Sequence, residues 1–181
     1  MKADVSTVAS DLQMLWLLIC AALVLFMQAG FCCLEAGSVR QKNSTNVAVK
    51  NLVDMLISVP AFFVIGYALM FGRDWYWLIG EPALFLSNLD SDELASFLYQ
   101  AAFCATAATI VSGGVAERCR FLPYLIMSAA VSLVIYPIFG HWAWGGGFLD
   151  QLGFHDFAGS SVAHMIGAAV TLACIQVLGA R

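Results

Sequence analysis

The chain has 181 residues, of which 61% are hydrophobic and 11% charged, against about 45–50% and about 25% in a soluble domain. That balance excludes a water-soluble fold, and a net charge of −4 excludes the basic face that nucleic-acid binding demands. The chain reads as a membrane protein, so the number of spans matters more than the length.

A helix of about 20 apolar residues crosses a hydrocarbon core of about 30 Å. Five stretches reach that length, at about 12–34, 48–71, 97–116, 121–142 and 157–179, in a single partial membrane domain over 1–181. The first is too long for a signal-peptide core, its leader sets Asp4 and Asp11 beside Lys2, and no Ala-x-Ala site follows. It is expected to stay in the membrane as span one. Between spans two and three, 72–95 forms an outer loop. Its Trp75, Tyr76 and Trp77 suit an interfacial belt, and Asp90 to Glu93 reads as a solvated acidic run. Pro60 and Pro137 fall inside spans, where neighbouring helices must satisfy the freed carbonyls. Five of the six cysteines lie within spans and read as small apolar residues.

Arg40, Lys42, Lys50, Arg118, Arg120 and Arg181 share one side, against Lys2 and Arg73 on the other. The positive-inside rule therefore predicts a multi-pass protein of the cell membrane with its N-terminus outside and its C-terminus inside. Glycosylation at Asn43-Ser44-Thr45 would demand the reverse, but the charge ratio outweighs so short a pattern. With five spans the termini lie on opposite faces. A second five-span unit would be inverted, an arrangement common in transporters.

Polar residues at membrane depth are costly to bury and mark function. His164 shares a narrow polar and small-residue stripe with Ser160, Ser161, Ala168 and Thr171 in span five. It reads either as an interhelical hydrogen-bonding group or as a pore-lining imidazole, which donates and accepts in a dry channel. Asp156, just before that span, suits a helix cap and equally a carboxylate that concentrates cations at an outer mouth. Trp142 and Trp144 close span four ahead of Gly145-Gly146-Gly147, as interface anchors or as indole faces for a cation. Phe103, with Tyr99 one turn earlier, could line the same mouth. His141 and His155 flank the outer loop without metal-site spacing, so no metal or other cofactor is expected. Glu35, Asp54 and Glu117 lie near Arg40, Lys50 and Arg118 and are expected to form salt bridges at the inner rim.

Several motifs resemble the ammonium transporter family (Amt/MEP/Rh). These are Phe26-Met27-Gln28-Ala29-Gly30-Phe31, Leu34-Glu35-Ala36-Gly37, Lys42-Asn43, Asn46-Val47, Lys50-Asn51, Gly113-Gly114-Val115-Ala116-Glu117-Arg118, Trp144-Gly145-Gly146-Gly147 and, most specifically, Asp156-Phe157-Ala158-Gly159-Ser160-Ser161-Val162-Ala163-His164. The similarity runs from about Leu12 to Arg181. It implies an all-α polytopic bundle whose five spans are the first inverted repeat of an eleven-helix fold. It also implies a homotrimer in the lipid bilayer and a C-terminal half missing from this sequence. The implied activity is transport of ammonium or ammonia, not catalysis. By the same resemblance Trp144, Phe103, Asp156 and Ser161 belong to the outer substrate site, Phe103 as the outer of two stacked gate phenylalanines and Asp156 as the structurally required acid beneath, and His164 is the first of two pore histidines. Ala107 stands where a second gate phenylalanine is expected, which would leave a gap in the gate. An ammonium-sensing receptor of the same fold and a non-functional fragment remain open alternatives.

Overall fold

The computed structural model describes residues 5–86 and 89–180. Lys2, Asp4 and Arg181, counted in the charge argument, lie outside the described residues. Five helical runs are long and apolar enough to cross a membrane. They are α1 (Val5–Ser38), α2 with α3 (Gln41–Ala61, Tyr67–Phe71), α4 (Ser91–Val115), α5 with α6 (Phe121–Ala130, Tyr136–Trp144, continuing to the short α7, Phe148–Gln151), and a last run ending in α8 (Ile166–Leu178).

Two spans begin where an aspartate places them, not where hydropathy rises. The Asp90 carboxylate accepts the Glu93 amide at 2.8 Å, and the Glu93 carboxylate accepts the Asp90 amide at 3.0 Å. This capping box starts α4, so Asp90 to Glu93 is the helix entry and not a solvated loop. At the last span the helical run starts only at Ser160, because the preceding residues form the turn described below.

Pro60 and Pro137, the two mid-span prolines, adjoin wide, five-residue helical turns. Pro60 precedes a π-turn over Phe62–Gly66, and Pro137 follows one over Val131–Ile135. Proline lacks the N–H that the α ladder needs, and the wider i→i+5 pattern absorbs the break. The two π-turns pack on each other. A Cβ on Gly66 would stand 2.6 Å from the Ser132 carbonyl oxygen, so glycine sets how closely these spans approach.

Helix α4 is the centre of the bundle, packed on α1, α2 and α8. Its buried face is small, with Ala101, Ala102, Ala105, Ala107 and Ala108, and small residues let membrane helices close up. Ala107 is fully buried, and a Cβ on Gly167 would meet its carbonyl oxygen at 2.9 Å. The position is therefore packed against the last span and presents no gap on an open face.

The end bearing Arg40 and Arg118, here termed inner, is tied by side chains. The Arg40 amide and Nε both donate to Glu117 Oε1 at 3.0 Å, and Asn43 Nδ2 donates to the same oxygen at 2.7 Å. Arg118 donates to the Gly179 carbonyl at 2.6 Å. The rim salt bridge thus exists for Glu117 alone of the three acids. Glu35 accepts instead from Asn51 Nδ2 at 2.8 Å, and Asp54 is fully buried between Thr109 and Ser128. Both carboxyls sit deeper than the arginines, out of reach of the rim cations.

At the opposite, outer end a two-strand hairpin, β1 (Asp74–Trp75) and β2 (Ile79–Gly80), pairs Asp74 with Gly80 and Trp75 with Ile79. Trp142 Nε1 donates to the Leu78 carbonyl at 2.7 Å, and the Phe148 amide to the Trp77 carbonyl at 3.0 Å. His141 does not flank a loop. It is fully buried, with its ring nitrogens 2.9 Å from the Met70 carbonyl and from Asp74 Oδ1.

Candidate functional site

The outer site grows from one aspartate. Asp156 Oδ1 accepts the amides of Gly159 and Ser160 at 2.8 and 2.9 Å, and Oδ2 those of Ser161 and Val162 at 2.7 and 2.9 Å. The first amides of a helix have no intrahelical acceptor, and here one carboxylate takes four. It does so from three residues before Gly159, the residue that leads into the helical run. Burial alone would push the Asp156 carboxyl upward, but the four amides outweigh it and hold it below the ordinary carboxylate range.

The chain reaches that geometry through Gly159, whose φ of +83° is left-handed and favours glycine. A Cβ there would lie 3.2 Å from Phe103 and 3.4 Å from Trp144, so the bare glycine also seats both rings. Trp144, half-buried, donates its Nε1 to the Asp156 carbonyl at 2.7 Å. Phe103 meets Trp144 edge-on, ring centres 6.1 Å apart at 82°, and Tyr99 meets Phe103 at 5.0 Å and 72°.

These rings wall a pocket of about 310 Å³ with Phe71, Gln100 and Phe157. Gln100 is part of the pocket lining, and its Oε1 is buried without a hydrogen-bond partner among the described residues. Sequence reasoning passed over Gln100. Its signal was available in the spacing, since Tyr99, Gln100 and Phe103 occupy adjoining positions of one helical turn.

Ser161 belongs to the Asp156 turn through its amide but does not line this pocket. His164 also lies apart from it, in a π-turn over Ser160–Met165. Its ring is exposed and its Nδ1 is 3.2 Å from the Gly159 carbonyl, with no hydrogen bond to another helix among the described residues. Ser160 and Ala168 are exposed with it, while Thr171 bends its hydroxyl back to the Gly167 carbonyl at 2.7 Å. The polar stripe is thus an uncovered face of this chain. The structure brings Trp144, Phe103 and Asp156 together and leaves His164 on a surface that no described part of the chain covers.

Residues 15–181 match the Ammonium Transporter Family. The chain is 48% identical over 178 residues to ammonium transporter Amt2 of Archaeoglobus fulgidus, covering 92% of this chain and 38% of that protein. A solved structure described as a sensor Amt protein superposes with a TM-score of 0.94 at 39% identity, over 97% of this chain and 46% of that one. Mep2 of Candida albicans superposes with a TM-score of 0.85 at 28% identity, over 93% of this chain and 39% of that one. The chain spans less than half the length of each of these relatives. With its five apolar helices arranged as in these structures, the chain belongs to the ammonium transporter family and is a multi-pass membrane protein.

Proposed function

We propose that this chain forms the first half of an ammonium-conducting pore and supplies its outer cation site. The observation that carries the reading is the aromatic cup of Phe103 and Trp144, with Gln100 in its wall. A cation over an indole face gains about 0.5 kcal/mol when exposed and about 2 when desolvated. Asp156, already saturated by amides, acts by fixing the turn and adding negative potential, not by direct contact. Ammonium sheds its hydration shell and then passes its proton to water on the outer side of this mouth, and neutral ammonia moves inward past His164. That route avoids carrying a bare ion through hydrocarbon.

The uncovered face around His164 fits closure by a second, inverted five-helix half, and membership of the family supports assembly as a homotrimer. In this orientation the aromatic cup faces outside and the Arg40–Glu117 rim faces the cytoplasm. The test uses the protein as its gene encodes it, in liposomes, with flux followed by internal pH and binding by calorimetry. Saturable binding and flux that both fall in Trp144→Ala support conduction. A second reading, ammonium sensing without passage, draws on the likeness to the sensor Amt structure. It would be selected by binding without flux.

A further inference from the structure

Between α1, α2, α4 and α5 lies a buried polar network that the outer site does not use. Gln28 Nε2 donates to Thr109 Oγ1, and Thr109 Oγ1 donates to Asp54 Oδ2 at 2.9 Å. Asp54 Oδ1 is hydrogen-bonded to Ser128 Oγ, which lies 3.3 Å from Ser58 Oγ. Asp54, Ser58 and Ser128 have no exposed surface. One turn nearer the inner end, Asn51 links Glu35 and Ser112.

No Lys, Arg or His among the described residues lies within ion-pair distance of Asp54. The cation nearest in sequence, Lys50, is one turn back on α2. Its ammonium donates to the Cys119 carbonyl at 2.7 Å and rests 5.5 Å from the Tyr124 ring centre. The other ionisable groups facing the carboxyl are Glu35 on α1, Cys104 on α4 and Tyr124 on α5, none of which is cationic. The Tyr124 hydroxyl faces Asp54 but falls short of a hydrogen bond, and the Asn51 side-chain oxygen is also buried without a partner. A carboxylate without a counter-ion is costly in a membrane interior.

Thr109 already accepts from Gln28, so its single proton goes to Asp54 Oδ2. The remaining bonds have an ionised form, in which Ser128 donates to Asp54 Oδ1 and Ser58 to Ser128, and a neutral form, in which a proton on Oδ1 goes to Ser128 and Ser128 donates to Ser58. The neutral form spares the bundle a buried charge without a counter-ion.

We propose that Asp54 is a proton-binding site, held inside the membrane as the neutral carboxylic acid between Thr109 and Ser128. Its exchange partner toward the inner side is Glu35, which lines an open pocket of about 280 Å³ with Phe31, Ser38 and Gly113. Only an O–H bond forms or breaks, and the proton passes to and from water there. The site does not depend on the conduction reading.

Infrared spectroscopy of the protein as its gene encodes it, reconstituted in lipid at neutral pH, tests this. The carboxylic C=O stretch of Asp54 should be present and should disappear in Asp54→Asn. Asparagine mimics the neutral acid, its oxygen accepting from Thr109 and its amide donating to Ser128, so this variant should assemble while Asp54→Ala should not. A neutral-pH spectrum in which Asp54→Asn removes only carboxylate absorption overturns the proposal. Should the asparagine variant fail to assemble, Ser128→Ala decides: a displaced acid band supports the site, and an unmoved spectrum overturns it.

Discussion

Trp144 and Asp156 are joined through the indole Nε1 and the Asp156 carbonyl at 2.7 Å, while the carboxylate of the same aspartate holds four amides of the next turn. The last span therefore cannot shift at its outer end without moving the ring that walls the pocket. Fold and site share one anchor.

Removing that anchor should lower stability before it touches chemistry. A single cap is worth about 0.5–2 kcal/mol, and Asp156→Ala abandons four amides at once, so its loss should lie at or above the upper end. Thermal unfolding in detergent measures it. A wild-type melting temperature for Asp156→Ala would contradict the capping role.

The same carboxylate predicts an acid limit. Its folded value lies below the ordinary one, which is about 3.9 for aspartate. Its contribution is thus complete above that ordinary value and is lost as pH falls through the lowered folded value. Melting temperature followed against pH should drop more steeply in wild type than in Asp156→Asn over this acid window. Parallel profiles would remove the linkage.

His164→Ala should behave in the opposite way. The ring is exposed and its contact is with its own helix at Gly159, so stability should change little. Ammonia flux should be lost if the uncovered face lines a pore, and stopped-flow measurement on proteoliposomes reads this directly.

Two substitutions probe close packing. Gly66→Ala sets a methyl group against the Ser132 carbonyl, and overpacking of this kind costs about 1–3 kcal/mol. Ala107→Phe should cost at least as much and should not restore a gate, because the site is enclosed by the last span. Yield and melting temperature distinguish these outcomes from a stable, flux-altered protein.

Topology is checked by chemistry at Asp92, which is exposed in the first turn of α4. A lone cysteine there should react with an impermeant reagent added outside intact cells. Reaction only after lysis would invert the orientation.

The spans were legible because an apolar run of membrane length has few other uses, and Asp156 was legible because an acid before a small-residue helix start is a cap signal. The π-turns were marked only in part: Pro60 and Pro137 stand beside two of them, and no proline stands beside the one over Ser160–Met165. The buried network was hidden by counting hydropathy per span. Asn51, Asp54 and Ser58 repeat at helical spacing and so do Thr109 and Ser112, but one or two polar residues per turn barely lower a window average. His141 misled because proximity to a loop in sequence says nothing about the direction of a ring inside a helix.

Trp144 and Asp156 close a ring in the chain, and the part of it that follows α7 lies on the surface. Leu152, Gly153, Phe154 and His155 are exposed there, downstream of the point where Phe148 is pinned to the hairpin. Extra residues inserted after Leu152 would lengthen a handle rather than pull on the site. This makes the segment a port for an epitope or a fluorophore that reports on the protein from one side of the membrane while both ends of the ring stay fastened.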